Sequence, residues 1–294
     1  MKEQEMAAQS ARETGGRPWG LRARQTGILV QREVRRNLFT RRRIWVYLLA
    51  FGPVLLLAIH RAMPHSEPAN AAALQDETRM LAGIMQFYYV RLGLFFACMG
   101  IFTWLFRGEM VERTLHYPFL LPVRREVLVV GKFLAGAAIA IALFEMAVLG
   151  CFFFLYSRFG SLGWNYVFQG AGLHQLGAYM LIVALGGLGY GSVFLGLSLM
   201  FRNPIVPGAV FFGWEAITPV LPIWLQPLSV TFYLKPLYPI SVSSHLPGIL
   251  ALFTVVTEPV STLTAVVGLL CFTLAVLAFS CYRIRKTEIA YTSD

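Results

Sequence analysis

Charge is what this 294-residue chain most lacks. Only 14% of its residues are Asp, Glu, Lys or Arg, against about 25% in an ordinary soluble domain. A soluble globular enzyme of this length needs far more polar surface to cover its core, so that class is excluded. Disorder is excluded too, because 57% of the residues are apolar or aromatic and disordered chains are poor in these. Cysteine is scarce. Cys98, Cys151, Cys271 and Cys281 are isolated, with neither C-x-x-C spacing nor a disulfide framework, and read as small packing residues. Several chemical signatures are missing as well. No G-x-x-x-x-G-K-[ST] loop cradles a phosphate, since Gly131-Lys132 is followed by Phe133. No H-E-x-x-H pair and no G-x-S-x-G elbow occurs.

What the chain has is hydrophobic length. Its mean hydropathy is +0.62, and a helix of about 20 apolar residues crosses a bilayer. Six such spans are predicted, at about 44–62, 82–106, 127–156, 176–201, 205–225 and 261–282. Together they make a transmembrane domain over 44–284, with a tail at 285–294. The run 249–256 is too short to cross. It lies within the Pro-rich stretch 226–259 (Pro227, Pro236, Pro239, Pro247, Pro259), which reads as a re-entrant or interfacial segment before span six.

The formal charge of +10 suits either nucleic acid or an anionic membrane surface. Its distribution decides for the membrane. Twenty of the 25 Lys and Arg fall before span one, between spans two and three, at Arg202 or in the tail; the other five are Arg61, Arg79, Arg91, Arg158 and Lys235. Basic loops stay inside, so both termini are expected in the cytoplasm of a multi-pass protein of the cell (inner) membrane, with no nucleic-acid partner. Residues 1–20 are polar, with no apolar run before the basic cluster, and are not expected to form a cleavable leader. Residues 1–16 are expected to be disordered, and 17–43 to form a basic amphipathic helix on the inner leaflet.

His60, His65, His174 and His245 fall on the outer side by this topology. They read as interfacial polar residues or, less well because their spacing is irregular, as ligands of a soft metal. Inside the membrane, Arg91, Glu145 and Glu215 lie at matching depth, about 20 Å from the inner surface at 1.5 Å per residue. A lone charge there costs at least about 2.5 kcal/mol. Arg91 is therefore expected either to pair with Glu145 or Glu215, or to snorkel outward beside Tyr88 and Tyr89. Span four carries Gly186, Gly187, Gly189, Gly191 and Gly196, the small residues that permit close helix approach. Whether they face their own bundle or a second protomer is open at this stage.

The most specific segment runs over 107–132, RGEMVERTLHYPFLLPVRREVLVVGK. Glu109 precedes Thr114-Leu115 by five residues, Pro122-Val123 follows eight after Thr114, then Arg125, and Lys132 seven beyond. This resembles the cytoplasmic loop of the type-2 permeases of ATP-binding-cassette exporters. It differs in Arg113, where a glycine usually precedes the Thr, and in the extra Pro118. The resemblance extends to the plan of a basic elbow helix, six spans and an irregular segment before the last. It implies an all-α permease subunit, itself no enzyme and without a cofactor. That subunit would dimerise with a second permease, identical or different, and be driven by separate ATPase subunits that hold ATP and magnesium. It also implies that 107–126 is the coupling helix on which the ATPase docks, through Glu109, Glu112, Thr114, Leu115, Phe119, Pro122 and Arg125. The residues read the same way. Leu115, Phe119 and Leu120 form a ridge for a groove, and the charges set orientation at the rim. Two rival readings stand beside this one. The first is an ATPase-linked scaffold in envelope or cofactor assembly. The second is a polytopic lipid-modifying enzyme, which would need convergent acids or histidines that the single Glu145 and Glu215 do not provide.

Overall fold

A computed structural model describes residues 27, 30–31, 33–34, 44–63, 69–111, 125–201, 203–218, 221–222, 224–240 and 261–286, with side chains at all of these except 106–111, 125 and 285–286. Every described element is helical. In chain order they are α1 (Ile44–Ala62), α2 (Ala71–Gly83), a π-helical segment (Ile84–Leu94), α3 (Phe95–Val111), α4 (Arg125–Ser157), α5 (Gly160–Gln169), α6 (Gly172–Met200), α7 (Ile205–Ile217), α8 (Val230–Leu234) and α9 (Thr262–Lys286). Short 3-10 turns at Gln226–Leu228 and Lys235–Leu237 flank α8.

Five stretches are long and apolar enough to cross a bilayer: Ile44–Ala62, Ala71–Leu105, Glu126–Ser157, Gly172–Met200 and Thr262–Ile284. The second begins eleven residues earlier than hydropathy suggests. Asn70 caps it by accepting the Ala73 N–H at 2.8 Å, and its first turns (AAALQDETRML) are too polar to register as a span. The expected span 205–225 needs correction. Its helix ends at Ile217, and its 13 residues reach only about 20 Å. Thr218 still holds helical angles, but Pro219 after it has no N–H to give the Glu215 carbonyl four residues back, so the helical ladder stops there. Pro222 and Pro227 then keep the chain turning. The helix α5 was not anticipated. Gly160, at φ 53°, supplies the left-handed residue that breaks α4 from α5. Most of the expected elbow helix 17–43 lies outside the described residues, as do 1–16, 112–124, 241–260 and 287–294.

The helix α6 is the axis of the fold and the most buried of the long helices. It packs against α3, α4 and α9, while α1 lies on α4. The glycines of α6 face this bundle. A Cβ on Gly186 would lie 2.7 Å from Leu94, on Gly187 2.9 Å from Ile141, on Gly189 2.9 Å from Val230 and on Gly191 2.7 Å from the Phe102 ring. Span four therefore packs inside its own protomer, which settles the alternative left by the sequence. Among the glycines, Phe95 meets Phe194 at 5.0 Å and Tyr190 at 5.3 Å edge-on, and stacks on Phe211 at 6.0 Å. Edge-to-face pairing of this kind holds α3, α6 and α7 together. The opposite extreme is α1 and α9, which expose most of their apolar surface, including Leu48, Leu55, Leu56, Leu263 and Leu274.

Candidate functional site

The loop singled out by sequence has two roots. Glu109 sits in the last turns of α3 and Arg125 opens α4, both as backbone only. Glu112, Thr114, Leu115, Phe119 and Pro122 lie outside the described residues. What joins the roots is Lys132. Its side chain is buried, and Nζ donates to the Leu105 carbonyl of α3 at 2.6 Å. It also lies 4.0 Å from the carboxylate of Glu33, itself buried. One ammonium thus ties the helix entering the loop, the helix leaving it and the N-terminal basic segment. A buried cation hydrogen-bonded to a carbonyl, with a carboxylate at ion-pair distance, is a geometrically demanding link. Sequence reading noted Lys132 only as the end of a motif.

The intramembrane charges resolve differently from a simple pair. Arg91, in the π segment, turns inward and donates from Nη2 to the backbone carbonyl of Glu215 at 3.3 Å. That carbonyl lies in the last turn of α7, where carbonyls have no helical partner and a cation complements the helix dipole. The Glu215 carboxylate is engaged elsewhere. It accepts from Ser229 Oγ at 2.8 Å, Val230 N at 2.8 Å, Thr231 N at 3.1 Å and Thr231 Oγ1. Val230 and Thr231 open α8, so Glu215 caps a short helix from outside the segment that forms it. Four donors offset the cost of a buried carboxylate. Glu145 stands apart, partly exposed on α4, with no hydrogen bond or ion pair among the described residues. The structure thus brings Arg91 and Glu215 together and leaves Glu145 out.

The π segment has a second attachment. Tyr88 donates to the Leu49 carbonyl at 3.1 Å and Tyr89 to the Ala50 carbonyl at 2.9 Å. Pro53 explains why the Leu49 carbonyl is available. It has no N–H to give Leu49 four residues back, and its ring crowds that turn of α1. In lipid such a freed carbonyl must find another donor. Tyr88 and Tyr89, which read as an aromatic belt, are in fact the braces of a proline site. Long π stretches are rare and tend to mark functional places.

At the end of the bundle remote from Lys132, a polar network crosses four helices, with Thr78 of α2 joining at 3.2 Å from the Tyr156 hydroxyl. Gln175 Oε1 accepts from Tyr156 at 3.1 Å and Tyr166 at 3.2 Å, and its amide donates to Tyr179 at 3.1 Å. Nearby, Glu77 of α2 pairs with Arg158, just past α4, and lies 3.6 Å from His60 of α1. His174 is exposed, and His65 and His245 lie outside the described residues. No group of three or more His, Cys, Asp or Glu is placed to hold a metal among the described residues. Cys98 and Cys151 are buried, Cys281 is half-buried and Cys271 exposed, all as free thiols.

No curated protein gives a significant match to this chain. A family profile described as ABC-2 family transporter protein matches residues 28–288. The match spans every described helix and both roots of the 107–126 loop, and the chain belongs to the ABC-2 family of transporter proteins.

Proposed function

We propose that the chain is the membrane-spanning permease subunit of an ATP-binding-cassette exporter, driven by a separate ATPase that docks on residues 107–126. The observation that carries this reading is the family match over 28–288 combined with the Glu109, Thr114-Leu115, Pro122, Arg125 and Lys132 spacing inside it. The chain has no phosphate-cradling loop of its own, so ATP and magnesium belong to the partner and the chain is non-catalytic. Both termini face the cytoplasm of the inner membrane, by the bias of basic residues. The short helix α7, with the turns after it, makes the sixth crossing. A second permease copy or a homologous chain completes the dimer, and the apolar faces of α1 and α9 are shared between it and lipid.

Docking would be transmitted through the Lys132 node. A push on the loop reaches α3 through Leu105, α4 through Lys132 itself and the N-terminal segment through Glu33. Nucleotide-driven closure of the ATPase pair then shifts the bundle between two states, as far as differential affinity for them allows.

The test is copurification. Changing Arg125→Glu together with Leu115→Asp and Phe119→Asp should weaken ATPase capture while the chain still inserts, because lost apolar anchors at a hot spot cost more than about 1 kcal/mol each. ATPase capture undiminished by all three changes refutes the docking site. Micromolar nucleotide binding by the purified chain alone refutes the division of labour.

A further inference from the structure

The helix α5 carries no charged residue, and its two short links hold it at the membrane. They join it to α4, which ends at Ser157, and to α6, which begins at Gly172. The spans Glu126–Ser157 and Gly172–Met200 have 32 and 29 residues, so they reach about 48 and 44 Å. A hydrocarbon core is about 30 Å thick, and about 40–45 Å with its headgroup layers. Spans of that length run through the core into both headgroup layers. The helix between them therefore lies at headgroup level, at the end of the bundle remote from Lys132.

The inner face of α5 is fixed against α4 and α6. Tyr166 stacks on Tyr156 with ring centroids 5.3 Å apart and donates to Gln175 at 3.2 Å. Gly163 and Val167 are buried, and a Cβ on Gly163 would run into the Tyr156 carbonyl. At about 100° per residue the rest of the helix divides into stripes. Ser161, Asn165 and Gln169 are exposed and line up, four residues apart, on the side opposite the buried face. Trp164 and Phe168 form the stripe between that polar row and the buried one. They are 42% and 64% exposed and stack on each other with centroids 5.7 Å apart. With protein beneath and the polar row above, the aromatic pair points sideways, along the membrane plane.

We propose that α5 is an interfacial anchor whose Trp164–Phe168 pair seats in the headgroup–acyl boundary of the leaflet remote from Lys132. Its partner is the lipid surface. An indole at that depth keeps its ring among acyl chains and its N–H near water or headgroups. A helix with an apolar flank and a polar row lies in the plane of such an interface. The lack of charge on α5 argues against a charged soluble partner, and Arg158, just before it, is spent on Glu77. Met146, Leu149 and Phe153 carry the exposed apolar face of α4 up toward the same level. Through Tyr166 and Gln175 the anchor fixes the depth of the remote ends of α4 and α6. It does not rest on ATPase docking.

The experiment uses the full chain, without any ATPase, in phosphatidylcholine bilayers. Phe168→Cys and Asn165→Cys, each in a Cys271→Ser, Cys281→Ser background, are labelled with an environment-sensitive fluorophore. Phospholipid brominated high on its acyl chain should quench the Phe168→Cys label at least about twofold more than the Asn165→Cys label, and iodide in the water should do the reverse. Equal quenching of the two labels by lipid, or a Phe168→Cys label open to iodide, overturns the proposal. A Phe168→Cys label shielded from both quenchers shows a second chain over the pair and overturns it too. Intrinsic fluorescence decides independently if the labelled variants misfold. The emission lost in Trp164→Phe should be emission that brominated lipid quenches and iodide spares; emission quenched by iodide, or by neither, overturns the anchor.

Discussion

Glu215 is the residue whose loss the structure predicts most sharply. Its carboxylate holds the first two backbone N–H groups of α8 and two hydroxyls. In Glu215→Ala the hydroxyls of Ser229 and Thr231 can turn to other acceptors. The N–H groups of Val230 and Thr231 cannot turn. Each buried, orphaned donor costs about 1–3 kcal/mol, so the two cost about 2–6 kcal/mol, a large part of a total stability of about 5–15 kcal/mol. Glu215→Gln keeps the shape and one acceptor oxygen but turns an NH2 toward donors. It should cost less, about 1–3 kcal/mol. The chain carries its own reporter for this measurement. Cys98 and Cys151 are fully buried in the bundle, so in a Cys271→Ser, Cys281→Ser background a thiol-reactive fluorophore gives a baseline and then a second, cooperative signal as the bundle opens. That second transition should fall to lower temperature in the order wild type, Glu215→Gln, Glu215→Ala. Limited proteolysis should cut the 218–240 segment early in both variants, because the cap is what seats that segment on α7. Coincident transitions and equal protease resistance in Glu215→Ala and wild type would refute the capping argument.

Other expectations are as specific. Lys132→Met should destabilise by about 1.5–3 kcal/mol, the range for a hydrogen bond from a charged group, and should reduce ATPase copurification although Lys132 lies outside the proposed docking surface. Normal capture by a folded Lys132→Met chain would break the link between node and loop. Gly191→Val should cost about 1–3 kcal/mol by overpacking against Phe102, whereas Gly177→Ala, with nothing within 4 Å of its Cβ, should gain up to about 1 kcal/mol of helix propensity; thermal unfolding that ranks the two alike contradicts the packing of α6. Tyr88→Phe should cost about 1 kcal/mol by orphaning the Leu49 carbonyl, and Pro53→Ala, which restores a donor, should remove most of that cost in the double variant. Glu77→Gln should loosen the junction of α1, α2 and α4 by about 1–3 kcal/mol, between the values for exposed and buried ion pairs, and hydrogen exchange at α2 should rise.

The amino-acid sequence alone determined the class. A chain this poor in charge and this long in apolar runs has no aqueous fold, and helices are what remains when lipid leaves every backbone group to be satisfied internally. Hydropathy located four of the helices closely, and the residue spacing of 107–132 reached the right family. Local pattern failed where the ends of elements depend on partners. The span at 205–225 is shortened because Pro219 ends its helix, and the polar start of α2 is helical because Asn70 caps it. Tertiary structure alone decided the pairing of the intramembrane charges. Depth placed Arg91, Glu145 and Glu215 on one level, but depth carries no information about which way a side chain turns. Arg91 meets Glu215 because the end of α7 offers an unpaired carbonyl, while the Glu215 carboxylate is drawn to the start of α8, fifteen residues on. The same holds for Tyr88 and Pro53, and for Lys132 and Glu33. Each pair joins segments distant in sequence, and only packing the helices together gives one group's unmet hydrogen bond to the other.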